Sequence, residues 1–127
     1  MSRVIIRTFA YNAEKTIERT IKSIMSQTHM DFIWYVINNG STDSTGKIIE
    51  SYAKKDKRIR VIKNNINRTD TEYTIGVFYD ILSKYDDTCY FCTIDADDFY
   101  HSRFLEEMLY FIKENNLDIA ACSSVFL

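Results

Sequence analysis

Short apolar runs rich in β-branched residues alternate along this chain with segments whose apolar residues recur every three to four positions. The runs lie at residues 3–9, 32–37, 60–62 and 89–94. The intervening segments, of which residues 13–27 are the clearest, have the periodicity of amphipathic helices. Continuous apolar runs are typical of strands buried on both faces of a parallel sheet. The order of elements therefore predicts a three-layer α/β/α fold with a mainly parallel sheet and right-handed crossovers.

Capping residues set the expected helix boundaries. Asn12 is a good N-cap for a first helix over residues 13–27, and Ser102 for a fourth helix. Three consecutive residues can cap the second helix: Ser41, Thr42 and Asp43. The polar residues 64–72 predict a loop before the third helix, and residues 119–126 are expected to begin a fifth strand.

The composition limits the classes of protein to which this chain can belong. With 127 residues, 46% of them hydrophobic, it can bury one core. A formal net charge of −2 gives no electrostatic case for nucleic-acid binding. The apolar runs are too short for a membrane span or a signal peptide, and three cysteines favour a reducing compartment. We therefore expect a cytoplasmic protein, and peripheral attachment at the inner face of the membrane stays open.

Two of these cysteines, Cys89 and Cys92, form a C-x-x-C motif. Positions three apart in a strand face opposite sides of a sheet. No second pair of Cys or His residues lies nearby in the sequence to complete a zinc site. We therefore interpret both as buried apolar residues.

Three carboxylates follow the fourth apolar run: Asp95, Asp97 and Asp98. An ionised carboxylate at the end of a buried strand costs several kcal/mol unless it is solvated, paired or bound to a cation. Ligands of open α/β sheets bind at the carboxyl ends of the strands, and carboxylates suit Mg²⁺ or Mn²⁺. The sequence contains neither a P-loop nor a G-x-G-x-x-G motif. These residues therefore predict a divalent-cation site for a phosphate-bearing ligand; the alternative is a solvated acidic turn before a helix.

Four segments resemble, in their order and spacing, the motifs of bacterial glycosyltransferase family 2. They are Thr8-Phe9-Ala10-Tyr11-Asn12-Ala13-Glu14, Ser26-Gln27-Thr28, Asn39-Gly40-Ser41-Thr42-Asp43 and Asp95-Ala96-Asp97-Asp98. Together they extend over essentially the whole chain. The resemblance implies a GT-A (Rossmann-like) fold and inverting transfer from a nucleotide-diphosphate sugar, with Mn²⁺ or Mg²⁺ as cofactor. A UDP-sugar is the expected donor, and the acceptor is an unidentified sugar, lipid or protein.

The resemblance also assigns roles to the acidic residues. Asp97 is expected to hold the metal, with Asp98 as a close alternative, and one aspartate of the D-x-D pattern contacts the donor ribose or sugar. That contact is expected from Asp95, and from Asp97 through the metal that it holds.

Other residues are expected to bind the nucleoside. By resemblance, Thr8, Phe9 and Tyr11 line its pocket, with an aromatic ring against the base. Glu14 either points into the same pocket or only favours the helix N-terminus. Asn39 stands where the family usually has the second of two aspartates, which hydrogen-bonds the base, so the identity of the base stays open. Arg68 is a candidate for a phosphate or base contact.

The resemblance places the catalytic base beyond Leu127, since an inverting transfer needs a carboxylate to take the proton of the acceptor hydroxyl. We therefore expect a single GT-A-like domain over residues 1–127, truncated at its C-terminus. It would be the donor-binding part of the enzyme, with a cut apolar edge that favours a homodimer.

Three other interpretations stay open. A sugar-phosphate nucleotidylyltransferase would need a glycine-rich basic loop after the first strand, and a flavodoxin-like receiver would need acids there. The third interpretation is a degenerate domain that binds a nucleotide without catalysis or serves only in interactions. Metal-dependent nucleotide binding separates it from an active donor site.

Overall fold

In the computed structural model of this chain, which describes residues 2–123, four parallel strands form one sheet in the order β3-β2-β1-β4. The elements, in chain order, are β1 (Val4–Ala10), α1 (Ile17–Met25), β2 (Phe32–Asn39), α2 (Thr45–Ala53), β3 (Ile59–Asn64), α3 (Thr71–Leu82), β4 (Tyr90–Thr93) and α4 (Phe104–Glu114). All three strand pairings are parallel. The predicted α/β class and parallel sheet are confirmed.

Two apolar clusters lie on opposite faces of the sheet, because alternate side chains of a strand point to opposite sides. Ile6 of β1 belongs to the cluster that contains Ile21 of α1, Ile49 of α2 and Leu109 of α4. The next residue back, Ile5, belongs to the cluster formed with α3. Helices α1, α2 and α4 therefore cover one face and α3 covers the other, which confirms the three-layer arrangement.

The first helix begins later than predicted, and Asn12 does not cap it. Asn12 has a φ of +46°, and its Oδ1 accepts a hydrogen bond of 2.8 Å from the Thr42 backbone N–H. The chain turns once more before α1 starts at Ile17, whose N–H donates to the Ala13 carbonyl over 2.8 Å. The prediction was wrong because the Asn12 side chain accepts a hydrogen bond from the loop that follows β2 and does not cap α1.

The N-terminus of α4 is also capped differently from the prediction. The Ser102 side chain forms no cap; the buried Gln27, which follows α1, accepts the Leu105 N–H at its Oε1 over 3.0 Å. Gln27 Nε2 donates to the His101 carbonyl over 2.7 Å. One amide side chain thus satisfies both a donor and an acceptor at the start of α4.

The predicted fifth strand is not formed by residues 119–123, and residues 124–126 of that prediction lie outside the described residues. A strand is held by ladder hydrogen bonds, and no strand of the described chain pairs with this segment. Within residues 2–123, β4 pairs only with β1, and its other edge adjoins a groove of about 790 Å³ lined partly by Phe78, Phe104 and Met108. A homodimer through this edge stays a prediction.

Cys89 and Cys92 pack in the two different apolar clusters, on opposite faces of the sheet. Both are free thiols, and burial raises the pKa of Cys92 to about 11. Both cysteines pack among apolar residues as predicted, but they are partly buried and not fully buried.

None of the helices in the described part of the chain has the length and apolar character that crossing a membrane requires.

Candidate functional site

An open cleft of about 380 Å³ lies where β1 and β4 end. It is lined by Phe9, Tyr11, Asn12, Ala13, Thr16, Asp95, Ala96 and Asp97. Because β1 and β4 are direct neighbours, the segment after β1 lies against the acidic segment after β4. Four residues that the sequence assigned to donor binding, from two distant segments, therefore meet in one cleft: Phe9, Tyr11, Asp95 and Asp97.

The acidic loop, residues 95–98, carries a cluster of carboxylates. One oxygen from each of Asp95, Asp97 and Asp98 lies within 4.8 Å of the others, and all three residues are exposed. The alternate residues Ile94 and Ala96 are buried in the core. Burial and the neighbouring charges of Asp97 and Asp95 raise the pKa of Asp98. Three hard oxygen donors that repel one another at this distance fit a divalent cation such as Mg²⁺ or Mn²⁺.

The alternative role for these acids, stabilising the dipole of the next helix, is not favoured by their positions. Helix α4 begins at Phe104, six residues beyond Asp98. The helix dipole acts mainly within the first turn, where α4 has Glu106 and Glu107.

Three side chains at the start of α1 donate hydrogen bonds to main-chain carbonyls of the acidic loop: Thr16 at the N-cap position, and Arg19 and Thr20 within the helix. None of these three residues belongs to the motifs that resemble the family. A signal was present: Thr16 and Thr20 are four residues apart and adjoin the buried stripe that contains Ile17 and Ile21. A polar residue repeated at helical spacing beside an apolar stripe indicates a polar partner inside the fold.

The wall of the cleft formed by Asn12 and Ala13 is held by the loop after β2. The Asn12 N–H donates to Ser41 Oγ over 3.0 Å, and the Ala13 N–H donates to Thr45 Oγ1 over 2.8 Å. Asn12 has a positive φ, which turns the chain toward the loop that follows β2 and allows these bonds to form.

Glu14 takes part in the same junction and does not line the cleft. Its carboxylate accepts the Ser44 N–H over 3.0 Å, and its own N–H donates to Asp43 Oδ2 over 3.3 Å. Although burial opposes ionisation of Asp43, hydrogen bonds from the hydroxyl and N–H of Thr45 lower its pKa. The N-cap position of α2 is Ser44, so none of the three predicted residues, Ser41, Thr42 and Asp43, occupies it. Asp43 and Glu14 nevertheless stabilise the start of α2, because they accept the N–H groups of Thr45 and Ser44.

Thr8 points away from the cleft. It is buried, and its hydroxyl accepts a 2.9 Å hydrogen bond from the indole N–H of Trp34, which is also buried. Since neighbouring strand residues face opposite sides, Thr8 and Phe9 cannot both project in one direction. The structure places Phe9 on the cleft and Thr8 in the core.

Asn39 lies beside Arg68, and its side chain hydrogen-bonds the main chain of Arg68. Asn39 is 4% exposed; its Nδ2 donates to the Arg68 carbonyl over 2.8 Å, and its Oδ1 accepts the Arg68 N–H over 3.0 Å. The Arg68 guanidinium lies 4.3 Å from the centre of the Tyr73 ring and pairs with Asp70 at 3.2 Å. Tyr73 in turn makes an edge contact with Phe9, at 6.3 Å between ring centres. Arg68 therefore lies next to the aromatic side of the cleft.

The loop that carries Arg68 ends two residues earlier than the predicted end at residue 72. Asp70 accepts the Tyr73 N–H over 2.9 Å and so caps α3, which begins at Thr71.

Comparison with known proteins agrees with this geometry. The family model described as "Glycosyl transferase family 2" matches residues 5–126. An uncharacterized glycosyltransferase of Haemophilus influenzae is 36% identical over 110 residues, which are 84% of this chain and 32% of that protein. The uncharacterized glycosyltransferase EpsJ of Bacillus subtilis is 33% identical over 112 residues, 88% of this chain and 31% of that protein.

Solved structures show the same fold. S. aureus TarS 1-349, in complex with UDP, superposes with a TM-score of 0.70 at 25% identity, over 91% of this chain and 33% of that one. The mannosyltransferase PcManGT from Pyrobaculum calidifontis, in complex with GDP-Man and Mn²⁺, superposes with a TM-score of 0.69 at 15% identity, over 86% and 32%. The chain thus spans about a third of the length of these relatives. With a family model that matches nearly its whole length, the chain belongs to glycosyltransferase family 2.

Proposed function

We propose that the protein is an inverting glycosyltransferase and that this chain supplies its site for a nucleotide-diphosphate sugar. The observation that carries the proposal is the meeting of Phe9 and Tyr11 with Asp95 and Asp97 in one cleft of about 380 Å³. Aromatic rings can stack on a base, and carboxylates can hold the cation that accompanies a diphosphate. The relatives named as glycosyltransferases support the same activity.

The residues of the cleft divide this work. Asp97 and Asp98 would hold the divalent cation, and Asp95 would contact the ribose or sugar of the donor. A bound Mn²⁺ or Mg²⁺ would offset the charge that develops on the departing nucleoside diphosphate. Tyr11, which is 49% exposed, and the adjoining Phe9 present the aromatic surface for the nucleoside.

UDP is the nucleotide that we propose for the donor, since the TarS structure with 25% identity was solved with UDP. Asn39 would support its base indirectly, because its amide already holds the Arg68 loop. The acceptor hydroxyl, on a sugar, lipid or protein, and the base that deprotonates it would meet the donor in the remainder of the enzyme.

Calorimetric titration of UDP, GDP, dTDP and CDP, each with and without Mn²⁺, tests the donor site. Three proteins are compared: the wild type, Asp97→Ala and Asp80→Ala. Asp80 is an exposed acid on α3, outside the cleft, so it controls for the loss of one negative charge. We expect the wild type and Asp80→Ala to bind UDP in an Mn²⁺-dependent manner, and Asp97→Ala to lose this binding.

Two results would contradict the proposal. Binding of none of the four nucleotides by the wild type would favour a degenerate interaction domain. Equal binding by Asp97→Ala and Asp80→Ala would show that binding of the cation does not depend on Asp97.

A further inference from the structure

We propose that Thr20, supported by Thr16 and Arg19, is a positioning residue that holds the acidic loop in the shape that binds the cation. The inference rests on the proposed donor site, because it assigns the residues that prepare that site. It concerns side chains that lie outside the set of expected ligands and that act through the main chain of the loop.

The Thr20 hydroxyl bridges the loop across Asp97. It lies 3.1 Å from the Ala96 carbonyl oxygen and 2.5 Å from the Asp98 carbonyl oxygen, so its single hydrogen is shared between residues on either side of Asp97. Thr20 is fully buried. Its neighbours in the stripe, Ile17, Ile21 and Ile24, are apolar and equally buried, so packing alone would favour valine at this position.

Two further side chains, from the N-cap position and the first turn of α1, extend this contact. Thr16 Oγ1 donates to the Ala96 carbonyl over 2.9 Å, and Arg19 Nη2 donates to the Asp97 carbonyl over 3.1 Å. The Arg19 guanidinium also lies 4.6 Å from the centre of the Phe99 ring, just after the loop. Residues at positions i, i+3 and i+4 share one side of a helix, so α1 presents these donors as one surface.

These bonds have a consequence for the carboxylates. Three consecutive carbonyls, those of residues 96–98, accept hydrogen bonds from side chains of residues 16–20, and Asp95 and Asp97 line the cleft. Three carboxylates within 4.8 Å of one another repel, and that repulsion acts to open the loop when no cation is bound. The hydrogen bonds from α1 oppose this opening. The site is therefore held ready for a cation before the cation arrives.

The decisive comparison is between Thr20→Val, which removes only the hydroxyl, and Thr20→Ser, which keeps it. Ile24→Val is the control for a small loss of packing in α1, since Ile24 is buried one turn further on and its side chain has no group that can donate a hydrogen bond to the loop. Mn²⁺ is titrated by calorimetry with UDP present. Amide hydrogen exchange of residues 95–99 is measured separately without metal.

We expect Thr20→Val to weaken Mn²⁺ binding about tenfold, as is typical when a group that orients metal ligands is removed. It should also speed exchange of the Asp98 amide, whose N–H donates to the Asp95 carbonyl over 3.1 Å. Thr20→Ser and Ile24→Val should resemble the wild type in both measurements.

Equal Mn²⁺ affinity and loop exchange in Thr20→Val and the wild type would overturn the proposal, and so would an equal loss in Thr20→Val and Ile24→Val. The donor site is judged separately, by the wild type and Asp97→Ala. If the wild type binds no Mn²⁺, the proposed function fails, and the exchange rates alone decide whether Thr20 holds the loop.

Discussion

Replacing Gly40 with alanine should destabilise the protein strongly, whereas the same change at Gly76 should stabilise it. Gly40 follows β2 and has a φ of +76°, in the left-handed region that side chains rarely adopt. A Cβ built there would lie 2.3 Å from the carbonyl carbon of Ile66 and 2.4 Å from the nitrogen of Asn67. These are main-chain atoms, which cannot move aside as a flexible side chain can.

Two terms add for Gly40→Ala. The left-handed conformation costs an alanine about 1–2 kcal/mol, and an extra carbon in a tightly packed place costs about 1–3 kcal/mol. We therefore expect the free energy of unfolding to fall by about 2–5 kcal/mol. Gly76 lies in α3, and a Cβ built there meets no heavy atom within 4 Å. Its replacement by alanine should raise the free energy of unfolding by roughly 1 kcal/mol and the melting temperature by about 4 °C.

Urea unfolding followed by tryptophan fluorescence measures both effects, because the chain has one tryptophan, Trp34, and it is fully buried. Gly76→Ala is the matched control, with the same chemical change at an open helical site. The reasoning assumes that Gly40 lies close to the main chain of Ile66 and Asn67. If the free energy of unfolding of Gly40→Ala is within about 0.5 kcal/mol of the wild-type value, that close approach is refuted. If Gly76→Ala is instead destabilising, the assignment of its open environment is wrong.

Three further changes test other contacts. Thr8→Val should lower the free energy of unfolding by about 1–3 kcal/mol, because it removes the acceptor of a buried indole N–H, and Thr8→Ser should restore most of it in the same urea assay. Gln27→Ala should lower it by about 1–2 kcal/mol through loss of the cap on α4; equal unfolding of the variant and wild type would contradict this. Asp56→Asn should lower it by about 1 kcal/mol at pH 7, since Asp56 accepts from the partly buried Arg58. Because the hydrogen bond from Arg58 lowers the pKa of Asp56 in the folded state, this contribution is present above the ordinary aspartate pKa of about 3.9. It is lost as the pH falls through the lower folded value, so wild type and Asp56→Asn should converge in acid.

Most of the fold could be predicted because its signals are local. A run rich in β-branched residues, such as residues 3–9, is short and nearly continuous, and the structure places β1 at Val4–Ala10. The acidic loop was predictable for a related reason. Carboxylates directly after an apolar strand are unfavourable as core, so they indicate a site wherever the strand ends.

The errors lie where a residue's partner is distant in sequence. Asn12 and Ser102 have the side chains of helix caps, but the positions that they would cap are satisfied otherwise. Gln27 reaches Leu105 across 78 positions, and no local pattern records such a contact. The predicted roles of Thr8 and Glu14 depend on where each side chain points. The Thr8 hydroxyl bonds Trp34 in the core, and the Glu14 carboxylate bonds the Ser44 N–H before α2.

The parallel α/β class, the family and the carboxylates at the end of β4 can all be read from the amino-acid sequence, because periodicity, motif order and residue type are properties of the chain. Which residues share the cleft depends on how the strands pair in the folded protein. The pairing of β1 with β4 places Phe9 and Tyr11 beside Asp95 and Asp97. Folding also brings Thr20 beneath the acidic loop, 76 to 78 positions away. Side chains this far apart in sequence meet only after the sheet and its helices have packed, and hydrogen bonds of that range leave no periodic trace in the sequence.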